Sequence, residues 1–307
     1  MKTFRYWSKA SERVETPDGP WNLCCWGGSD NSVEDALRRA EERVRSASQA
    51  VSDGRSPERY SYSDRPLREE VIAEMTHEDK TNALLTRNAY GTVVLNTANV
   101  MFADIDYADD QKDVTRNEWS AGFFSQLIGF AGGLFGKKVP QQAFDTADKK
   151  SEVITSEDER IVDSVRSVTE RHSGLGLRLY RTHNGFRCLV TSQTWDPLDS
   201  TTTSLLEELG SDPLYIRLCR GQQCFRARLS PKPWRCGIMT TPPRFPWADD
   251  EMEQRYRKWV ETYEQETANY STCTFIGVFG DSHVDPAVDA ILRVHDELAC
   301  AGEGPIA

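Results

Sequence analysis

Apolar and polar residues alternate along the chain with two periods, one typical of strands and one typical of helices. The strand-like alternation is strongest over residues 100–107, a run that carries Asp104 and Asp106 near its end. Because residues two apart in a strand point to the same face, both carboxylates share one side of this strand. The rise of a strand predicts that their Cα atoms lie about 6 to 7 Å apart.

A hairpin and a helix are predicted before residue 55. Aromatic-rich runs at 4–7 and 21–26 flank a turn at 17–20 that contains two prolines and a glycine, which predicts two antiparallel strands. Apolar residues at helical spacing follow a capping aspartate or serine, and they predict a helix over 33–51. We expect this part of the chain to be structural.

Short elements are predicted between residue 55 and the aspartate strand. A proline at the first helical position favours a short helix over 65–75. Runs at 83–86 and 92–95 look like strands, and the segments that join them to residues 100–107 look like turns. The pattern therefore predicts a three-stranded meander that includes the aspartate strand.

The region after residue 153 has a regular order of elements, marked by a capping box and an Asn-Gly turn. The predicted elements are a helix at 157–172, a hairpin turning at 182–185, a helix at 203–209, and strands at 214–219 and 224–229. With the aspartate strand, this order is the split βαβ arrangement of ferredoxin-like folds.

The predicted fold class is α+β, with a ferredoxin/RRM-like split βαβ core that carries additions at both ends. The C-terminal addition is a helix, a strand and a second helix packed on the core. The predicted domains are an N-terminal hairpin and helix module at 1–82, the core at 83–235, and the C-terminal extension at 236–307.

Composition narrows the possible classes of protein. A formal net charge of −11 argues against a surface that coats polyanions, although a local basic groove is compatible with it. No stretch reaches the roughly 18 to 20 apolar residues of a membrane span, so we expect a cytoplasmic protein without membrane contact. The 8 cysteines include no C-x-x-C pair, which argues against a structural zinc site.

An apolar, glycine-rich segment at 121–136 follows the aspartate strand. Apolar sequence between polar loops must be buried against something. We expect it to pack in the core, and the alternatives are a lid or a segment that binds a protein partner.

Basic side chains are frequent in the segments predicted to lie beside the aspartates. Two carboxylates on one strand face can share Mg²⁺ or Mn²⁺, and arginines can bind phosphates, which together are the parts that phosphoryl transfer requires. The alternative is a solvated face whose charges pair with each other. The candidate substrate-binding residues are Arg181, His183, Arg187, Arg217, Arg226, Arg228 and Lys232.

Residues 100–235 resemble the catalytic core of archaeo-eukaryotic primases and primase-polymerases, on the motifs Asp104-Ile-Asp106, the hairpin at 181–189, and the run from Asp212 to Lys232. The resemblance implies an RRM-like core in which Asp104, Asp106 and Asp212 are catalytic metal ligands and the hairpin near Gly185 contacts a nucleotide. Arg187 stands where that family has histidine.

The predicted function is therefore metal-dependent nucleotidyl or phosphoryl transfer on nucleotides or single-stranded nucleic acid. One alternative is a non-catalytic interaction or nucleotide-binding module with a degenerate site. Another is a different metal-dependent phosphotransferase or cyclase on the same core, because one fold hosts many functions.

Overall fold

The computed structural model describes residues 1–16, 19–55, 66–107 and 156–307. Within these ranges the protein is a mixed α+β structure with three antiparallel sheets. The predictions for 121–136 lie outside the described residues.

The first sheet is the predicted N-terminal hairpin, formed by β1 (Tyr6–Thr16) and β2 (Gly19–Ser29). Helix α1 (Val33–Ser52) follows, and Ser32 caps it by accepting a hydrogen bond from the Asp35 N–H. Both elements confirm the sequence interpretation, because Ala36, Ala40 and Val44 of the apolar stripe are buried and the helix packs against the two strands.

The second sheet contains β3 (Glu70–His77), β4 (Lys80–Arg87), β5 (Val93–Thr97) and β9 (Phe225–Arg228), in that order. The predicted helix at 65–75 is wrong, because residues from 70 onwards pair with β4 as a strand. Tertiary pairing here overrides the helix propensity of glutamate, alanine and methionine.

The third sheet contains β6 (Phe102–Asp106), β7 (Gly176–Thr182), β8 (Gly185–Val190) and β10 (Cys273–Gly280), in the order β10-β7-β8-β6. The β7–β8 hairpin is confirmed. The predicted meander is wrong in its last step, because the aspartate strand β6 pairs with β8 and not with β5.

Helices α2 (Ser156–Arg171) and α3 (Ser200–Glu208) confirm two predictions. The strand predicted at 214–219 is wrong, because this segment belongs to helix α4 (Pro213–Gln222). Proline at the first helical position and an aspartate cap favour the helix start. The split βαβ arrangement predicted from the sequence therefore lacks the strand expected at 214–219.

The C-terminal helices α5 (Asp250–Thr267) and α6 (Pro286–Ala299) are also as predicted, and a short 3-10 helix spans Pro233–Cys236. Helix α6 carries a buried stripe that includes His295, whose ring contacts Phe102 and Tyr180. It therefore packs on the face of the third sheet that carries the aspartates.

The third sheet crosses one of the predicted domain boundaries. Strand β10 comes from the predicted C-terminal extension, yet it pairs with β7 of the predicted core. The division at residue 235 stays a prediction, but the extension contributes a strand as well as helices. None of the helices in the described part of the chain is long and apolar enough to cross a membrane.

Candidate functional site

One face of the third sheet brings several of the predicted site residues into cross-strand rows. Asp104 is paired with Arg187 and Arg187 with Tyr180, while Asp106 is paired with Gly185. Cross-strand partners point to the same face, so the two aspartates and Arg187 share one side. Gly185 has φ of +147°, and a Cβ there would lie 2.0 Å from the Ile105 carbonyl oxygen, so no side chain fits.

Arg187 lies inside the protein on this face, with 4% of its surface exposed. Its Nη1 donates to the Arg228 carbonyl oxygen at 2.9 Å and lies 3.3 Å from His295 Nε2. A guanidinium can only donate, so His295 accepts through Nε2 and carries its proton on Nδ1, which faces Asp296 Oδ1 at 3.0 Å.

Arg228 is a second cation close to Arg187. Its Nη1 donates to the carbonyl oxygens of Ser230 and Ala307 at 3.1 and 3.2 Å. Poor hydration and the neighbouring Arg187 charge lower the pKa of Arg228 to about 10, and the Asp104 carboxylate opposes this shift. Asp104, Arg187 and Arg228 thus form one electrostatic group, which we call the inner layer.

A second group, which we call the outer layer, lies nearer the surface around the β7–β8 turn. His183 is exposed, and its Nδ1 lies 3.0 Å from the Ile306 carbonyl oxygen. Reduced hydration and the positive charge of Arg235 lower the pKa of His183, and Arg228 and Lys232 act in the same direction. Asp106, paired with Gly185, is the exposed carboxylate of this layer.

Trp234 lies within the segment that supplies the outer cations. The Lys232 Nζ lies 5.6 Å from the centre of the Trp234 ring, and 37% of Trp234 is exposed. Tyr90 packs edge-on against the same ring, with 5.2 Å between ring centres. An exposed aromatic beside basic groups is the kind of surface on which nucleic-acid bases stack.

Three predicted substrate-binding residues lie elsewhere. Arg181 points to the opposite face, where its Nη2 lies 2.7 Å from Asp158 Oδ2. Arg226 contacts both carboxylate oxygens of Glu69, at 2.7 and 2.8 Å. Arg217 is exposed on helix α4 and not on a strand.

Asp212 lies beside the aspartate strand through its backbone. Its N–H donates to the Asp104 carbonyl oxygen at 2.8 Å, while its own Oδ1 accepts from the Leu214 N–H at 3.1 Å. Among the described residues no group of three or more histidine, cysteine, aspartate or glutamate side chains could hold a metal ion. The three carboxylates therefore do not form a preassembled metal cage.

Asp104 and Asp106 share one face of β6, and a metal bound by these two carboxylates would have to bring its other ligands with it. Mg²⁺ is commonly bound by one or two carboxylates, with waters and substrate phosphates in its remaining positions. A metal bound there would supply positive charge to offset the charge of phosphate oxygens.

Sequence reasoning missed three residues that organise this region. Arg235 completes the outer layer, and His295 holds Arg187. The Tyr215 hydroxyl lies 3.1 Å from the carbonyl oxygens of Phe102 and Arg226, so it joins β6 to β9. For His295 a usable signal existed, namely its place within the apolar stripe of α6.

Comparisons with protein-family models, curated proteins and solved structures find no match for this chain. Fold and site together define an α+β protein in which a strand carrying two aspartates adjoins a layered group of cations.

Proposed function

We propose that this protein binds the phosphates of a nucleotide or of single-stranded nucleic acid, together with Mg²⁺ or Mn²⁺, and transfers a nucleotidyl or phosphoryl group. The observation that carries the proposal is the grouping of Asp104 with Arg187 and Arg228 in the inner layer, beneath an outer layer of Asp106, His183, Lys232 and Arg235.

The charge of this grouping favours an anionic ligand. The inner layer combines Asp104 with two arginines, and the outer layer combines Asp106 with His183, Lys232 and Arg235. The lowered pKa of Arg228 reflects positive charges held together with little water, and a bound phosphate would relieve their repulsion.

The outer layer is the part that a ligand can reach. Arg187 is buried and its guanidinium is engaged by Arg228 and His295, so we assign it the role of holding the inner layer in place. Lys232 and Arg235 would contact the phosphates, and Trp234 offers a ring for a base to stack upon.

The order of the third sheet also supports a primase-like core. Strand β8 lies between β6 and β7, and helix α2 lies between β6 and β7 in sequence. This is the arrangement of the first three strands in a ferredoxin-like fold. The fourth strand expected at 214–219 is replaced by helix α4, so the likeness covers only part of such a core.

A second candidate function is a non-catalytic interaction module. It is favoured by the internal contacts of Arg187, Arg226 and Arg181, which bind protein groups in place of a ligand. In that case the charges serve to hold strands and helices together.

The first test is binding of a fluorescent ATP analogue and of a short single-stranded DNA, measured by fluorescence polarisation with Mn²⁺ at several salt concentrations. We expect Lys232→Gln and Arg235→Gln each to weaken binding about tenfold, which corresponds to about 1.4 kcal/mol. Arg293→Gln is the control, because this arginine is 71% exposed on α6 and pairs with Asp289.

Equal affinities in the wild type and the three variants, or no binding by the wild type, would contradict the proposal and favour the interaction module. Binding that weakens equally in Arg293→Gln would indicate general attraction to the surface. Binding of the single-stranded DNA but not of the ATP analogue would assign the surface to nucleic acid.

A further inference from the structure

Two thiols lie side by side behind the inner layer. Cys273 Sγ and Cys300 Sγ are 3.6 Å apart. Cys273 opens strand β10, and Cys300 is the residue that ends helix α6. A backbone hydrogen bond of 2.8 Å from Thr272 N–H to the Ala299 carbonyl oxygen holds the two segments together.

The surroundings of the pair favour a thiolate on Cys273. The hydrogen bond from Cys300 lowers the pKa of Cys273, and the positive charge of Arg187 acts in the same direction. The same hydrogen bond raises the pKa of Cys300. One thiol thus stays protonated and donates to the other, next to the positive charge of Arg187.

Other buried cysteines in the described part of the chain have a different environment. Burial raises the pKa of Cys188 and of Cys219 to about 12, and that of Cys224 to about 11. A thiol with a raised pKa reacts slowly because the thiolate is the nucleophile. Among the buried cysteines of the described residues, reactivity should therefore concentrate at the paired thiols.

Access is provided on one side of the pair. Cys273 is fully buried, whereas Cys300 is half-buried at the end of its helix. A small oxidant can approach from the side of Cys300. The sulfur atoms need to move together by about 1.5 Å to reach the bond length of a disulfide.

We propose that Cys273 and Cys300 are a reversible oxidation site that forms a disulfide with a peroxide as oxidant. Starting from the Cys273 thiolate and the Cys300 thiol, the S–H bond of Cys300 and the O–O bond of hydrogen peroxide break, one S–S bond forms, and one water and one hydroxide leave. The sulfur atoms lose two electrons, which the peroxide oxygens take up, so the step balances. A dithiol reductant reverses it.

The site does not depend on the proposed function, but it adjoins the same region. Arg187 contacts the thiolate electrostatically, and the chain after Cys300 returns to Arg228 through the Ala307 carbonyl oxygen. The disulfide would join β10 covalently to α6, across 27 residues of sequence.

The test is to treat the full chain with hydrogen peroxide, block remaining thiols with N-ethylmaleimide after unfolding, and identify peptides by mass spectrometry without reductant. We expect a linked peptide pair containing Cys273 and Cys300, which a dithiol reductant removes. Cys300→Ser should abolish the link and raise sulfinic acid on Cys273 several-fold, because no resolving thiol remains. Cys236→Ser is the control and should keep the link.

Absence of the 273–300 link in wild type while other cysteines oxidise would overturn the proposal. Equal sulfinic acid on Cys273 in the wild type and in Cys300→Ser would overturn it as well. Should Cys300→Ser fail to fold by circular dichroism, the wild type alone decides, because the linked peptide is either found or absent.

Discussion

Arg187 is a charged residue that is almost completely buried, and its hydrogen bonds compensate for its lost hydration. The carbonyl oxygen of Arg228 and the ring of His295 accept from its guanidinium. Removing the partners of a buried charge is costly because the charge is left without compensation. Arg187 therefore has a structural role whatever the ligand is.

We expect Arg187→Lys to lower the free energy of unfolding by about 1 to 3 kcal/mol, because an ammonium keeps the charge but loses the planar fork of donors. Urea denaturation followed by circular dichroism measures this change. Arg293→Lys, at an exposed position, should leave stability almost unchanged. A silent Arg187→Lys would show that the buried contacts are dispensable.

His183 gives the candidate site a pH dependence with a defined sign. Its pKa is lowered in the folded protein, so the unfolded chain binds a proton more readily. Stability is therefore lost as the pH falls through the ordinary histidine pKa, near 6.5, toward the lower folded value.

We expect His183→Gln to gain stability relative to the wild type as the pH falls from 8 to 5. The melting temperature of the variant minus that of the wild type should therefore rise over this range. Differential scanning fluorimetry across this range measures it. His172→Gln is a useful comparison, since that ring contacts Glu208 and not a group of cations. A difference that stays constant with pH would contradict the cationic surroundings assigned to His183.

At the scale of elements, substitutions of Asp212 distinguish a helix-capping role from a role as a metal ligand. Its carboxylate accepts from the Leu214 N–H at the start of α4. We expect Asp212→Ala to cost about 1 kcal/mol and Asp212→Asn to cost little, because asparagine caps a helix as well as aspartate does. Chemical denaturation measures both. Equal losses in the two variants would mean that the charge, and not the cap, is what matters.

Tyr215 joins two sheets through one hydroxyl group. That group lies 3.1 Å from the Phe102 carbonyl oxygen of β6 and accepts from the Arg226 N–H of β9 at 3.2 Å. We expect Tyr215→Phe to lower the free energy of unfolding by about 1 to 3 kcal/mol, because buried backbone groups lose a partner. Tyr6→Phe, on the exposed face of β1, should be nearly neutral in the same denaturation experiment.

Element types were predictable where the apolar period was unambiguous. Helix α1 and the β7–β8 hairpin have such a period or a clear turn signal. Helix α4 does not, because Leu214, Ile216 and Leu218 alternate as in a strand. The residues that the helix buries, which include Tyr215, Ile216 and Cys219, have helical spacing instead. The proline and the aspartate cap at the start of α4 favour the helix, and packing against the neighbouring strands then decides between the two patterns.

At the scale of the whole molecule, the sequence could place Asp104 and Asp106 on one strand face and Arg187 on a neighbouring hairpin. It also named Arg228 as a candidate beside the aspartates, but it could not predict how this arginine reaches them, because β9 pairs with β5 in a different sheet and approaches β6 only through long-range packing. The apolar stripe of α6 signals that His295 is buried, but the sequence could not predict its contact with Arg187, since α6 lies far along the chain from the strands that it covers.

The central claim is that Asp104 and Asp106 bind a metal that arrives with phosphates, while Asp212 only caps a helix. Its most direct test is the affinity for a fluorescent ATP analogue with and without Mn²⁺, in wild type, Asp104→Asn/Asp106→Asn and Asp212→Asn. We predict that Mn²⁺ strengthens binding in wild type and in Asp212→Asn, and has no effect in the double variant. A Mn²⁺ effect that survives in the double variant, or one that is absent from the wild type, would contradict the claim.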